Sequence, residues 1–258
     1  MFKKIKHPDG SRELYFGKIK LLRYTNKRSY LNYKLSFLNP LQKSDGGGGI
    51  GYFKYLLDRA CIAPKYHHIF YDFYLRTQNN EKLVFIDGGT HAGVFSDVAL
   101  ACGGLCYAFE PNIYLAAFLK NQYKDETRFI LYQQALSSKN EKSIFYNMDA
   151  DLISNGNSII SIHKGEQERA YEVQSIDFCE FARKLLQKHG KINFVKLDIE
   201  GAEFELLDSL IEQNLYRDIE LIMVETHERF FENPKEKINK LKEKIAKYEI
   251  KNIYLDWV

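Results

Sequence analysis

Apolar and polar residues change their spacing at Lys82, and this change divides the chain into two kinds of sequence. After Lys82, short apolar runs that predict strands alternate with segments whose apolar residues recur at the helical period. The predicted strands are 83–87, 105–110, 128–132, 143–148, 157–162, 193–198, 219–225 and 252–257. The predicted helices are 94–101, 113–122, 176–188, 202–214 and one that carries Ile238, Leu241, Ile245 and Tyr248. This alternation indicates right-handed crossovers and a parallel sheet buried on both faces, so the predicted fold class is α/β.

The sequence before Lys82 is organised differently. Residues 11–38 alternate in polarity and predict short strands, and the four glycines at 46–49 predict a flexible joint. Two helices are predicted at 52–59 and 64–76. We therefore expect three parts: a basic extension with short strands (1–45), a glycine-rich joint with a helical lead-in (46–78) and an α/β domain (79–258).

Four of the predicted strands end in an acidic residue, namely Asp87, Glu110, Asp198 and Glu225. Ligands of open parallel sheets bind at the carboxyl ends of the strands. We therefore expect these carboxylates to be half exposed in a ligand crevice and not buried in the core.

The first of these strands leads into the sequence FIDGGTHAGVF, in which Gly88, Gly89 and Gly93 permit a tight turn with the backbone close to a ligand. The spacing differs from the Gly-x-Gly-x-x-Gly pattern of a dinucleotide site, and Asp87 would repel a pyrophosphate. An acid there suits a cationic ligand, such as the amino group of S-adenosylmethionine. Glu110 lies 23 residues after Asp87 and can accept both ribose hydroxyls of a nucleoside. The loop and the second acid together indicate an adenosine-containing cofactor.

The later strand ends carry further polar residues. Glu200 and Glu203 lie in the first turn of a predicted helix, where acids oppose the positive end of the dipole, and we favour a capping role for Glu203. Glu225 and His227 are two residues apart, so they face one side if the strand continues. Histidine is the natural general base near neutral pH. Asp198, Glu225 and His227 would also suit a metal with oxygen and nitrogen ligands, and the sequence leaves both readings open.

Charge is distributed unevenly over the 258 residues, although the formal net charge is only +3. Residues 1–43 hold 11 Lys and Arg but only two acids, which gives +9, and the remainder is net acidic. A basic segment of this kind is typical of proteins that bind polyanions or membrane surfaces, and equally of a solvated lysine-rich surface.

Other features of the sequence bear on location. The four cysteines form no CxxC pair, so we expect buried free thiols in a reducing cytoplasm. The longest uncharged apolar stretch, 98–109, is too short to span a bilayer, and the basic N-terminal sequence lacks the apolar core of a secretory signal. We expect a cytoplasmic protein, with peripheral contact at the inner membrane surface through residues 1–43.

The segments DGGTHAG, AFEPN, VKLDIEGAE and MVETHE together resemble the FkbM-type methyltransferases, over roughly residues 80–230. The resemblance implies a Rossmann-like class I methyltransferase fold with a mostly parallel seven-stranded sheet. It implies S-adenosyl-L-methionine as the cofactor and the hydroxyls of sugars or natural products as methyl acceptors. The cofactor-binding residues that it implies are Asp87, Gly89, His91, Gly93, Glu110, Asn112, Ala135 and Asp198.

The same resemblance places Asp198 at the methyl-transfer site, with Asp198 or His227 as the base. Some relatives, the macrolide sugar O-methyltransferases, use Mg²⁺ with a histidine base, so an ion at Asp198, Glu225 and His227 stays open. The sequence departs from the family at Thr90-His91, where Ala-Asn is frequent, so we expect His91 to contact the cofactor differently.

The predicted activity is therefore O-methylation of a small-molecule or lipid-linked glycan, such as a bacterial surface polysaccharide. RNA methylation is the first alternative, because aromatic residues interrupt the basic segment and could stack on bases. The net acidic body and the lack of an Asn-Pro-Pro-Tyr-like motif after the fourth strand argue against nucleic acid. A non-catalytic binding protein is the second alternative, and the acids at every strand end argue against it. A nicotinamide oxidoreductase is disfavoured by the spacing of the glycines.

Overall fold

The computed structural model describes residues 2–6, 11–16, 19–25, 50–146, 158–159 and 170–257. The chain divides into two compact units, Met1–Gly48 and Gly49–Val258. The predicted glycine joint at 46–49 lies outside the described residues, as does most of the predicted strand at 157–162, of which only Ser158 forms an isolated bridge, to Tyr146.

The first unit contains a three-stranded antiparallel sheet in the order β1-β2-β3. Its strands are β1 (Phe2–Lys6), β2 (Ser11–Phe16) and β3 (Ile19–Thr25). The polarity pattern of 11–38 predicts strands where β2 and β3 lie, whereas β1 precedes the predicted region and residues 26–38 lie outside the described part of the chain.

The second unit is built on a six-stranded parallel sheet in the order β12-β11-β10-β4-β5-β6. Its strands are β4 (Val84–Gly88), β5 (Leu105–Phe109), β6 (Phe129–Tyr132), β10 (Ile192–Leu197), β11 (Ile219–Val224) and β12 (Ile253–Tyr254). The helices described in this unit are α1 (Ile50–Arg59), α2 (His67–Gln78), α3 (Val94–Ala101), α4 (Ile113–Gln122), α5 (Phe178–His189), α6 (Glu203–Glu212) and α7 (Pro234–Lys247). Short 3₁₀ turns lie at Pro64–Tyr66, Leu215–Asp218 and Glu228–Phe230.

The predicted α/β fold with a parallel central sheet is confirmed, but the central sheet has six strands in the described part of the chain and not seven. The run predicted as a strand at 143–148 forms β8 (Glu141–Phe145), which belongs to a separate small sheet with β7 (Ala135–Ser137) and β9 (Tyr171–Asp177). The reason is burial, because a central parallel strand must be apolar on both faces, whereas most side chains of β8 reach the surface.

Hydrophobic side chains cover both faces of the six-stranded sheet. One face packs against α5, α6 and α7 through a core that includes Ile86, Val195 and Leu207. The other packs against α1, α2 and α3, where Phe194 lies among aromatic rings, its centroid 5.0 Å from that of Phe95. Neighbours on one strand, such as Phe194 and Val195, therefore point into opposite cores, as the twofold period of a strand requires.

The burial of the cysteines and the length of the apolar helices bear on the expected location. The free cysteines Cys102, Cys106 and Cys179 are buried as expected, but Cys61 is exposed. Within the described ranges no helix combines the length and the apolar content that crossing a bilayer requires.

Candidate active site at the carboxyl ends of the sheet

A cavity of about 470 Å³ opens at the carboxyl ends of the central strands. The chain runs outward from β4 through β5 to β6, then returns to the other side of β4 as β10, β11 and β12. Strand order reverses between β4 and β10, and in open α/β sheets such a reversal creates the crevice in which ligands bind. The volume lies in the range of small-molecule sites.

The loop between β4 and α3 forms the floor of this cavity through Gly89 and His91. Gly89 has a φ of +72°, and a β-carbon there would collide with the carbonyl oxygen of Asp198. Gly93, at φ +79°, precedes α3 and packs on Tyr123 behind the cavity. The glycines therefore allow a tight turn, and Gly89 also allows contact with the neighbouring strand end.

Asp87 contradicts the prediction that the strand-end carboxylates are half exposed, because its exposure is 0% and it does not line the cavity. It still belongs to β4, and its cross-strand neighbour is Lys196 of β10. Ser96 Oγ donates to Asp87 Oδ2 at 2.6 Å, and Lys196 Nζ lies 3.6 Å from Oδ1. The positive charge that faces Asp87 therefore belongs to the protein.

Glu110 follows β5 and faces the cavity, although it is buried. Its Oε2 accepts a hydrogen bond from His91 N at 2.6 Å, and its Oε1 accepts one from Asn112 N at 2.8 Å. Burial raises the pKa of Glu110 to about 8, although both hydrogen bonds favour the charged form. Asn112 in turn caps α4 by accepting from Tyr114 N at 2.9 Å.

The predicted cofactor residues are thus divided by position. Those that line the cavity are Gly89, His91, Glu110, Asn112, Ala135 and Asp198, and those that lie behind it are Asp87 and Gly93. Ala135 opens β7 and forms an apolar wall beside Glu110, together with Leu136 and Phe145.

Asp198 directly follows β10, one of the two strands between which the strand order reverses. Its side chain is 29% exposed and lines the cavity. Lys196 Nζ lies 3.3 Å from Oδ2, and His227 Nε2 lies 3.6 Å from Oδ1. Burial of Lys196 disfavours its positive charge. The carboxylates of Asp198 and Asp87 outweigh this effect and raise the pKa of Lys196.

The shared strand face of Glu225 and His227 is predicted only if the strand continues, and β11 ends before both residues. Strand β11 ends at Val224, and His227 is 1% exposed and does not line the cavity. Its backbone N donates to Glu203 Oε1 at 2.7 Å, and its ring Nδ1 lies 3.3 Å from the same oxygen. Ring Nε2 lies 3.3 Å from Glu200 Oε2.

Both ring nitrogens of His227 therefore face carboxylate oxygens. Protonation of both ring nitrogens would let each donate towards a carboxylate, so this arrangement favours the charged form of the ring. Burial opposes this charge, but the hydrogen bond to Glu203 and the charges of Glu203, Glu200 and Asp198 raise the pKa of His227. In that charged form no nitrogen of His227 is free to accept a proton, and its role as the general base stays a prediction.

A model of the FkbM methyltransferase domain matches residues 87–249, which is more than half of the chain. The chain belongs to the FkbM methyltransferase family. The comparisons with curated proteins and with solved structures gave no significant match. The match begins at Asp87 and includes every site residue predicted from the sequence, so the FkbM domain contains the cavity floor, the acids and His227.

Two residues of this FkbM domain were missed as site residues, because a capping role accounted for them. Glu203 is fully buried, and its carboxylate accepts hydrogen bonds from Gly201 N at 2.8 Å and from His227 N. It therefore fixes the loop that carries the histidine. A signal was present, since Glu203 shares the buried helical stripe of Leu207 and Leu210, where an acid needs a partner. Glu200 lines the cavity at φ +51°, and burial raises its pKa to about 7.

The candidate metal ligands also differ from the predicted set. The FkbM domain brings together Asp198, Glu200 and His227, whose ligand atoms lie within 4.8 Å of one another. Glu225, the residue predicted for this role, stays at the edge with Oε1 4.0 Å from His227 Nε2. These three side chains could hold a divalent cation only if His227 lost the proton on Nε2.

Proposed function

We propose that this methyltransferase uses S-adenosyl-L-methionine and methylates a hydroxyl group on a glycan or natural-product sugar of bacterial origin. The observation that carries the proposal is Glu110, an acid at the end of β5 that faces the cavity beside the glycine loop. An acid at this position of an α/β sheet is suited to binding ribose hydroxyls.

The residues present fit this cofactor. Each oxygen of Glu110 receives one backbone N–H bond and retains a lone pair for a ribose hydroxyl. The apolar wall of Ala135, Leu136 and Phe145 suits an adenine ring. When bound, the cofactor supplies a methyl group that is already activated, so the protein mainly aligns the acceptor and excludes water.

Asp198 is the residue that we assign to the acceptor proton. It faces the cavity next to the glycine loop, whereas His227 is buried behind it. A carboxylate in hydrogen-bond reach of the hydroxyl would accept its proton as the oxygen attacks, which contributes ~10²–10⁴-fold to the rate. Lys196, which also lines the cavity, and His227, which does not, both lie beside the Asp198 carboxylate.

Titration calorimetry with S-adenosylhomocysteine tests the cofactor assignment. We expect binding to the wild type, and about tenfold weaker binding to Glu110→Gln, because the amide cannot serve both backbone donors and the ribose. Glu141→Gln, a change at an exposed glutamate of β8 outside the cavity, is the matched control. Failure of the wild type to bind would refute the cofactor assignment.

The acceptor and the location form the second part of the proposal. A small-molecule or lipid-linked glycan would reach the cavity from the cytoplasm, with residues 1–43 as a peripheral contact to the membrane surface. Binding of the full chain to anionic vesicles at two salt concentrations tests that contact. A filter-binding assay with RNA under the same two conditions distinguishes the nucleic-acid alternative.

A further inference from the structure

The sheet order divides the cavity into two halves. On the β5 and β6 side lie Glu110 and the apolar wall that suits the cofactor. On the opposite side, beyond Asp198, the cavity is bounded by Glu225 after β11, Trp257 after β12 and the end of α1. Because the methyl group would lie at Asp198, between the halves, the second half is where an acceptor must bind.

Trp257 carries an unusual polar group in this half. Its side chain lines the cavity and is only 4% exposed, yet its indole Nε1 is buried and has no hydrogen-bond partner among the residues that the structure describes. Tryptophan N–H groups normally find a partner when they are buried, because an unpaired donor is unfavourable. An orphaned donor at a cavity wall is satisfied when a ligand brings an acceptor atom.

The position of Trp257 is fixed from several sides. Its carbonyl oxygen accepts from Ala63 N at 2.8 Å, and its ring meets Phe95 edge-on at a centroid distance of 6.5 Å. The preceding Asp256 bonds to Tyr66 and Lys65. The indole is therefore held in place at the cavity wall before a ligand binds.

The charges of this half do not favour an anion. The cations that line it are already paired: Arg59 Nη1 lies 2.8 Å from Asp97, Arg229 Nη2 lies 3.6 Å from Glu200, and Lys196 bridges Asp87 and Asp198. The carboxylates can accept bonds from hydroxyl hydrogens, and Trp257 can donate to a hydroxyl or ring oxygen. This combination suits an uncharged molecule with several hydroxyls.

We propose that Trp257 and the adjoining end of α1 form the acceptor subsite, in which the indole N–H donates a hydrogen bond to an oxygen of an uncharged, polyhydroxylated acceptor. The inference rests on the proposed function and adds the residue that orients the acceptor. Both Trp257 and the end of α1 lie outside the region that matches the family, 87–249. The subsite is therefore formed by parts of the chain that flank the FkbM domain.

Trp257 is the single tryptophan of the chain, so its fluorescence reports on this subsite alone. The protein is first saturated with S-adenosylhomocysteine, as measured by calorimetry. It is then titrated with the methyl glycosides of glucose, galactose, mannose and rhamnose, and with methyl glucuronide as the anionic counterpart. Each ligand is added up to about 0.1 M, a range in which Kd values near the millimolar level are measured. We expect a saturable change of Trp257 emission with at least one neutral glycoside and none with the glucuronide.

Emission that responds to no neutral glycoside, or only to the glucuronide, would overturn the inference. If S-adenosylhomocysteine itself fails to bind, the proposed function fails first, so the two failures are distinguishable. In Trp257→Phe, which keeps an aromatic ring without the N–H, calorimetry should show about tenfold weaker binding of the responding glycoside and unchanged cofactor affinity. Equal glycoside affinity would refute the hydrogen bond. The emission titration needs no substitution and decides the question even if Trp257→Phe does not fold.

Discussion

Glu203→Gln is the substitution that most directly tests how the buried histidine is held. Glutamine keeps the shape of the side chain but replaces one carboxylate oxygen with an NH₂ donor. Because the two oxygens accept from Gly201 N and His227 N, one backbone donor must then face another donor. The substitution also removes the charge that supports the imidazolium of His227.

The magnitude follows from these two losses. Leaving one buried N–H unpaired costs about 1–3 kcal/mol. Each unit by which the pKa of His227 falls removes about 1.4 kcal/mol of stability at low pH. Together they predict a loss of about 2–4 kcal/mol of unfolding free energy near pH 6.

The pH dependence has a definite sign. A histidine whose pKa is raised in the folded state stabilises the protein fully below its unfolded pKa of about 6.5, and this contribution disappears as pH rises through the folded pKa. The stability difference between wild type and Glu203→Gln should therefore narrow as the pH rises above about 6.5, leaving only the hydrogen-bond loss.

Urea unfolding at several pH values measures this difference. Glu205→Gln is the control, since Glu205 lies on the same helix but is exposed. A difference below about 0.5 kcal/mol, the usual range for surface substitutions, would refute the assigned role of Glu203. A difference that stays constant with pH would refute the imidazolium.

Three further predictions concern the cavity floor. Gly89→Ala should abolish S-adenosylhomocysteine binding or folding, because a β-carbon would strike the Asp198 carbonyl, whereas Gly190→Ala, at φ +80° in open space, should cost only about 1–2 kcal/mol in urea unfolding. Lys196→Met should lower the unfolding free energy by about 3–5 kcal/mol, because Asp87 keeps a buried charge without its partner; a loss below 1 kcal/mol would contradict the ion pair. Chelation with EDTA should leave methyl transfer unchanged, since Lys196 and His227 already balance the acids, and restoration of a lost rate by Mg²⁺ would show that a metal is required.

The strands and helices of the FkbM domain could be predicted closely from the sequence. The helices at Val94–Ala101 and Ile113–Gln122 begin and end where the apolar period predicts. Strands β4, β5, β6, β10 and β11 are predicted within one residue at each end, because apolar runs such as Leu221–Val224 suit a sheet that is covered on both faces. The small sheet carries a weaker signal: β8 is predicted as a strand but not its place outside the central sheet, and β7 and β9 are not predicted.

The side-chain pairs of the site could not be predicted in the same way. Asp87 and Lys196 meet because β4 and β10 pair in a register that no local pattern records. From the sequence we predict that Asp87 binds a cationic ligand. Only the strand register shows that its cationic partner is Lys196. Glu203 and His227 are likewise 24 residues apart and meet through the packing of α6 beneath the end of β11.

The absence of a side chain at Gly89 has a consequence for the order of events in catalysis. The loop on the cofactor side and the backbone of Asp198 on the acceptor side touch directly, with no room for a methyl group between them. We therefore expect that a ligand that fixes the position of the loop also fixes the position of the Asp198 carboxylate, which we propose contacts the acceptor. On this hypothesis binding is sequential, with the cofactor first, and S-adenosylhomocysteine inhibits competitively against the methyl donor but not against the acceptor. Initial-rate patterns that indicate random, independent binding would show that the contact does not couple the two halves.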